Sequence, residues 1–499
     1  MRYFQQKFNV HPVGQGLFYS GKVDIHLNGQ NEVFRFVYDC GSLTSDAGEE
    51  EVDRYRLEDF KEDSDRLGLL VISHFDADHI NHIKRLLAEK RKVDNLVMPF
   101  MDFAERFFLV LRFLENNKGK GSDDDFGIIR LMLNPLGELA PHIDGDDGAT
   151  VYLITSDPDT PAGSEEGQSS RSDLAPDTPE TAFSFKNKDE KTDVADKLTF
   201  NLQIPTAISD AKLRKVKDSI TGDLHFRNSP PTQLMEFIFY RREASGDEKA
   251  FYQTVFEFFC KRQKINPNDP LLIDRLVDAL RKIKGATQIK SCYKEAKKVH
   301  PKIKITGRDI LNMNTTALCL LHKNLPVVFN IFSNQQDADD HDFDFQSHRV
   351  QKIGGDVFRV HESHIWRRFR FRRRFHHPLS DFHRYPEQIL PNVLLTSDAY
   401  FKTQEEVDRF LIKYNKYLNQ YWLLQVPHHG SSNNADRLLF TRIPHHVSKF
   451  INYGTKHRFE SKYRHPDAEL ISELLASGHG HDVIAVTEHT GLISYFGGL

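Results

Sequence analysis

The chain has 499 residues with 67 Lys plus Arg against 71 Asp plus Glu, a formal net charge of −4 that removes bulk basicity as an argument for polyanion binding. No run approaches the roughly 18 apolar residues of a membrane span, and the opening MRYFQQKFNV lacks a basic flank before an apolar stretch. Neither spanning nor secretion is expected, and the chain reads as soluble and cytoplasmic. Its four cysteines, Cys40, Cys260, Cys292 and Cys319, are scattered without CxxC spacing, which supports neither a disulfide framework nor a cysteine zinc site and predicts buried reduced thiols.

In chain order, residues 4–12, 17–27 and 33–38 cluster or alternate β-formers between Gly and Asn turn signals, as in an antiparallel meander. The apolar run 67–72 predicts a buried strand, followed after a short polar loop by a helix over 78–90 and a second helix over 102–115. Residues 156–180 are rich in Pro, Ser, Gly and acid and read as a flexible surface loop. Helical spacing returns at 248–263 and 270–284, so 141–304 is read as that loop plus a mainly helical insertion, a cap. Strand-like text resumes at 314–321, 326–331, 392–396, 422–426 and 483–487. The organisation is thus a core split into 1–140 and 305–499 around the insertion.

The chemistry concentrates at strand ends. In LLVISHFDADHINHI, His74, Asp76 and Asp78 recur at every second position of an extended segment and His79 opens the helix, so four metal-ligating groups converge within six residues. A strand ends at Asp398 (PNVLLTSDAY), where a carboxylate can bridge two ions. Another ends at His428 and His429 (WLLQVPHHGSS), and His465 precedes a helix begun by Pro466. His82, one turn beyond His79, reads as a surface or packing residue.

Taken in this order, these segments resemble the metallo-β-lactamase fold, most closely the branch of the ComEC-type DNA-uptake hydrolase domain and the phosphorylcholine esterases. The matching text is SHFDADHIN at 73–81, NMNT at 312–315, LLTSD at 394–398, VPHHGS at 426–431 and HP at 465–466, with VGQG at 13–16 and YDCGS at 38–42 before them. The resemblance implies an α/β, metallo-β-lactamase-like αββα sandwich. By position, it implies that His74, Asp76 and His428 hold one divalent ion and Asp78, His79 and His465 a second, with Asp398 bridging. Asp39 and Asn314 would support these ligands from behind, and His429 would face the substrate. Asp78, Asp398 and His429 are the expected catalytic residues. Ser397 departs from the pattern, which has glycine there; so do Asn81 and His82.

Asp76 in place of a histidine adds negative charge, favouring a harder ion such as Mn²⁺ and a phosphate ester, with Zn²⁺ still open. The implied activity is metal-assisted phosphodiester hydrolysis. A tract at 364–377, HIWRRFRFRRRFHH, interleaves Arg367, Arg368, Arg370, Arg372, Arg373 and Arg374 with four aromatics, a composition suited to phosphates and base stacking. It points to nucleic acid, so a nuclease is expected. The alternatives are a small-substrate phosphodiesterase and a regulatory subunit that docks a protein partner through its helical insertion.

Overall fold

A computed structural model describes residues 3–27, 30–60, 66–88, 91–116, 122–143, 149–155, 183–187, 213–216, 219–224, 232–283, 285–303, 316–324, 348–353, 356–360, 392–414, 417, 421–444, 447–455, 465–477 and 483–498. The fold is mixed α/β. Its strands in chain order are β1 (Tyr3–Val10), β2 (Phe18–Leu27), β3 (Gln30–Cys40), β4 (Arg66–Leu67), β5 (Leu69–Val71), β6 (Lys92–Val93), β7 (Asn95–Pro99), β8 (Thr150–Ile154), β9 (Phe183–Asn187) and β10 (Leu213–Val216). They continue with β11 (Ser219–Leu224), β12 (Thr232–Tyr240), β13 (Cys319–Asn324), β14 (His348–Ile353), β15 (Asp356–Val360), β16 (Val393–Leu395), β17 (Leu423–Gln425), β18 (Ser448–Asn452), β19 (Val483–Val486) and β20 (Leu492–Gly498).

Among the described residues these build a ten-stranded sheet, ordered β10-β8-β7-β5-β3-β2-β1-β20-β14-β15, and an eight-stranded sheet, ordered β19-β18-β17-β16-β13-β12-β11-β9; β4 and β6 pair separately. Each large sheet is parallel at one side and antiparallel at the other. The β3, β5, β7, β8 and β10 strands run parallel in the first, and β16, β17, β18 and β19 in the second. The carboxyl ends of these parallel strands are where an open α/β sheet offers a crevice for a ligand.

Side-chain alternation decides which layer each residue joins. Leu69 and Val71 enter a cluster shared with Val393, Leu395, Leu423 and Phe450 of the second sheet, whereas Leu70 joins a cluster with the helices outside the first sheet. In the second sheet Leu394 and Leu424 turn outward, opposite to Leu395 and Leu423, and meet Val407, Phe410, Leu439 and Leu470. Burying one such side chain contributes about 1.5–3 kcal/mol, so the short strands β5, β16 and β17 are held by packing on both faces.

The helices over the first sheet are α1 (Ser45–Asp59), α2 (Ala77–Ile80), α3 (Ile83–Leu86), α4 (Phe103–Asn116), α5 (Asp123–Leu133) and α6 (Pro135–Leu139), joined in the same cluster by α7 (Gly246–Gln263), α8 (Leu272–Arg281) and α9 (Ala286–Val299). The second sheet carries α10 (Gln404–Tyr414), α11 (Arg437–Phe440) and α12 (Ala468–Ala476).

The expected helix over 78–90 is two short helices, interrupted where Asn81 turns its side chain to the backbone of Ser42. Among the described residues of 141–304, α-helix is confined to the stretch after residue 245. Before it, β8 and β10 extend the first sheet and β9, β11 and β12 extend the second, because Leu213, Val216, Ile220 and Phe237 find apolar partners in the sheets. All four cysteines are unpaired and buried. No helix among the described residues is long and apolar enough to cross a membrane. The expected loop at 156–180, the strand at 326–331, Asn314 and the arginine tract lie outside the described residues.

Candidate metal centre

Three short strands, one from the first sheet and two from the second, aim their carboxyl ends at one point. Beyond β5 the chain runs extended through Ser73, His74, Phe75 and Asp76, then turns into α2, which carries Asp78 and His79. From the facing sheet, β16 ends at Thr396, Ser397 and Asp398, and β17 leads through Pro427 into a tight turn bearing His428 and His429. Asp39 comes from the end of β3. The missing side chain of Gly41 lets the exit of β3 lie on α2, since a Cβ there would stand 2.5 Å from the backbone nitrogen of His79.

The local backbone is strained. Asp39, Ser397, His428 and His429 all have positive φ, 56°, 49°, 45° and 54°; among the described residues the remaining non-glycine case, Lys264, caps α7. Such conformations cost on the order of 1–3 kcal/mol each and persist where surrounding structure over-determines them. Here the restraints are visible: Gln425 Oε1 accepts from the backbone N–H of Thr396 (3.1 Å) and Ser397 (2.8 Å), and the His428 N–H donates to the Ser397 carbonyl (3.0 Å).

Three groups of potential ligand atoms result: Asp78, His79, Asp398 and His429; His74, Asp76 and Asp398; and Asp39, His74 and His79. The third is a hydrogen-bonded backing. The His79 Nδ1–H donates to Asp39 Oδ2 (2.8 Å), and Asp39 also accepts from the Ser73 N–H (2.7 Å) and hydroxyl (2.5 Å). With Nδ1 so engaged, Nε2 turns inward. His79 Nε2 lies 3.3 Å from Asp398 Oδ1, and His74 Nε2 lies 3.7 Å from Asp76 Oδ2 and 3.9 Å from Asp398 Oδ2. His429 Nε2 lies 3.1 Å from Asp78 Oδ2 and 3.8 Å from Asp398 Oδ1, while its Nδ1 meets the Asn452 carbonyl at 2.8 Å.

These residues fit a divalent cation. Nε2 of His74 and His79 and Oδ1 of Asp398 are buried and form no hydrogen bond, an expensive arrangement for a core. Ligand atoms at 2.0–2.2 Å from a four-coordinate ion stand roughly 3.3–3.6 Å apart, close to several of these separations. The electrostatics agree: burial pushes His79 down, but Asp398, Asp78 and Asp39 hold it well above the usual imidazole range. Burial and the charges of Asp78 and Asp398 push the Asp76 carboxyl well up. His74, desolvated and beside His79, is pushed down to about 3. Burial raises Asp398, yet His428, His79 and His429 outweigh it and keep the carboxylate well below its usual range.

The structure thus gathers His74, Asp76, Asp78, His79, Asp398 and His429, with Asp398 common to two groups. The expected division between the adjacent histidines differs. His429, expected to face substrate, is 1% exposed and sits among ligand atoms, whereas His428 is 23% exposed, with Nε2 3.5 Å from Asp398 Oδ2 and Nδ1 2.6 Å from Asn434 Oδ1. The reason is the left-handed turn, which sends consecutive side chains to different sides. His465, expected on the second ion, is outside all three groups; its ring lies 5.4 Å from that of His428 and its Nδ1 3.6 Å from Asp467. His82 is buried at the start of α3, away from the ligand groups, as a packing residue.

Sequence reading passed over Ser73, Gln425, Asn434 and Asn452, which orient this centre. A signal for one of them was present: Gln425 is a polar residue ending an otherwise apolar strand, and its side-chain amide donates to Asn452 Oδ1 (3.1 Å). Comparison with protein-family models, curated proteins and solved structures finds no match.

Proposed function

We propose that the chain is an αββα sandwich of the metallo-β-lactamase type and a two-metal hydrolase of phosphodiesters acting on nucleic acid. The observation that carries the reading is Asp398, whose carboxylate belongs to two clusters of inward-facing His and Asp atoms built from both sheets. His74, Asp76 and Asp398 would hold one ion, leaving positions open, and Asp78, His79, Asp398 and His429 the other. This division moves His429 into the role the resemblance implied for His465, and His428 into the role it implied for His429.

Bound Zn²⁺ or Mn²⁺ would supply Lewis acidity toward a phosphoryl oxygen and make water available as a nucleophile at neutral pH. The chain's own groups do the rest. Asp39 and Ser73 hold the histidines with Nε2 inward, and Asn434 holds His428 by its Nδ1 while donating to the Asp398 carbonyl (2.9 Å). The more open His428 is therefore the group positioned to contact a phosphoryl oxygen or protonate the leaving oxygen. The polymer preference rests on the six arginines and four aromatics of residues 364–377.

The test is metal-loaded protein against single- and double-stranded DNA, RNA, cyclic dinucleotides and bis(p-nitrophenyl) phosphate. Cleavage of a polymer and of the small diester, both abolished by chelator, is expected. Replacing Arg370, Arg372 and Arg373 by Gln should lower the log–log salt slope of polymer binding by about 2 and leave the small diester unaffected. Failure to take up metal overturns the reading; cleavage of cyclic dinucleotides alone would move the substrate to a small phosphodiester.

A further inference from the structure

Ser397 stands where glycine would be the low-cost residue. Its φ of 49° is in the left-handed region, and it is fully buried, so a side chain at this position carries backbone strain without surface contact. What the side chain reaches is specific. Ser397 Oγ lies 2.7 Å from Ser73 Oγ, 3.3 Å from His74 Nδ1, 3.4 Å from His79 Nδ1 and 3.5 Å from Asp39 Oδ2.

One arrangement of protons satisfies this knot. The His79 Nδ1–H and the Ser73 hydroxyl both donate to Asp39 Oδ2, as their 2.8 and 2.5 Å separations allow. Ser73 Oγ then has two acceptor directions left, for the His74 Nδ1–H at 2.9 Å and the Ser397 hydroxyl at 2.7 Å. In that arrangement both imidazoles carry their proton on Nδ1 and present Nε2 lone pairs to the Asp398 side. Within the first sheet Asp39 holds His79 and Ser73 links Asp39 to His74. Ser397 is the group from the opposite sheet that closes the knot, and it belongs to the same turn as Asp398.

We propose that Ser397 is a positioning residue for the metal centre: its hydroxyl locks the Nδ1 faces of His74 and His79 to the loop that carries Asp398, so that ligands from the two sheets share one register. The inference rests on the metal-hydrolase reading and deepens it. It also gives the strained backbone a use, since glycine would keep the turn and lose the lock.

The experiment compares Ser397→Gly and Ser397→Ala with the parent, measuring Zn²⁺ affinity by competition with a chromogenic chelator and the melting temperature of chelator-treated protein. Both variants lack the hydroxyl, but only Gly suits the backbone. Zn²⁺ affinity should fall about tenfold or more in both, as for other outer partners of metal-ligating histidines. The melting temperature of the Gly variant should equal or exceed that of Ala. Affinity unchanged in both variants overturns the proposal, and so does affinity that merely follows melting temperature across the three proteins. A parent that binds no Zn²⁺ overturns the underlying metal reading instead, so the two failures are distinct.

Discussion

Two buried histidine–carboxylate knots among the described residues differ in which ring nitrogens are engaged. At the start of the first sheet His11 meets Glu51 Oε1 through Nδ1 (2.7 Å) and Ser20 Oγ through Nε2 (2.7 Å), and its ring stacks on Phe18. Glu51 is further tied to Arg54. At the candidate metal centre His74 and His79 are hydrogen-bonded through Nδ1 only, and Nε2 faces carboxylates at 3.3–3.9 Å. Both knots are buried, so burial alone does not separate them. A histidine with both nitrogens paired ties β1 and β2 to α1; a histidine with Nδ1 held and Nε2 turned toward carboxylates from both sheets is arranged as a cation ligand.

The largest expected effect tests the second half of that contrast. Asp398→Asn removes the carboxylate common to both ligand groups, and metal stoichiometry measured by elemental analysis should fall below one ion per chain. Turnover of a small diester should drop by roughly 10³-fold or more. Retention of two ions would break the contrast. Next come the adjacent histidines: His429→Ala should lose about one ion, whereas His428→Ala should keep its metal and lose about 10²–10⁴-fold in turnover. The opposite result would exchange their roles.

The paired knot should instead answer in stability. His11→Leu leaves a buried carboxylate with Arg54 as its charged neighbour and should cost about 2–4 kcal/mol in urea unfolding, with metal content unchanged.

A histidine buried among aromatic rings sharpens the comparison at smaller scale. His322 lies against Phe8, Phe36 and Phe237, bonded by Nε2 to the Tyr19 hydroxyl (2.7 Å), and burial pushes it down to about 3. Below the unfolded value of about 6.5 the unfolded chain binds a proton that the folded chain refuses, so this contribution is complete above pH 6.5 and declines toward pH 3. The slope is about 1.4 kcal/mol per pH unit, and His322→Gln should remove it from urea midpoints measured between pH 4 and 7.

What the sequence made legible was local. His74, Asp76, Asp78 and His79 stand together after an apolar strand, and Asp398 and the His pair end two more, so both the strands and most of the inward-facing side chains could be named. The orientation of His428 and His429 could not, because it depends on two consecutive left-handed residues that the dipeptide does not announce. Helix α1 escaped for a different reason: it is largely charged, with Val52 and Tyr55 among its few fully buried apolar side chains, and an apolar period is hard to find in it. The strands between residues 183 and 240 lie among polar text and are recruited by sheets whose other members are distant in sequence.

That distance also sets a clock. Ser73 and Ser397, hydrogen-bonded in the finished protein, are 324 residues apart. At a synthesis rate of about 5–20 residues per second, the segment bearing His74 and His79 waits on the order of 15–65 s before the turn bearing Asp398 leaves the ribosome. During that interval the nascent chain exposes several aspartates and histidines without their partners from the second sheet. On the metal reading proposed above, high-affinity capture of an ion would follow docking of the two sheets. In refolding, metal uptake should lag the appearance of secondary structure in the first sheet.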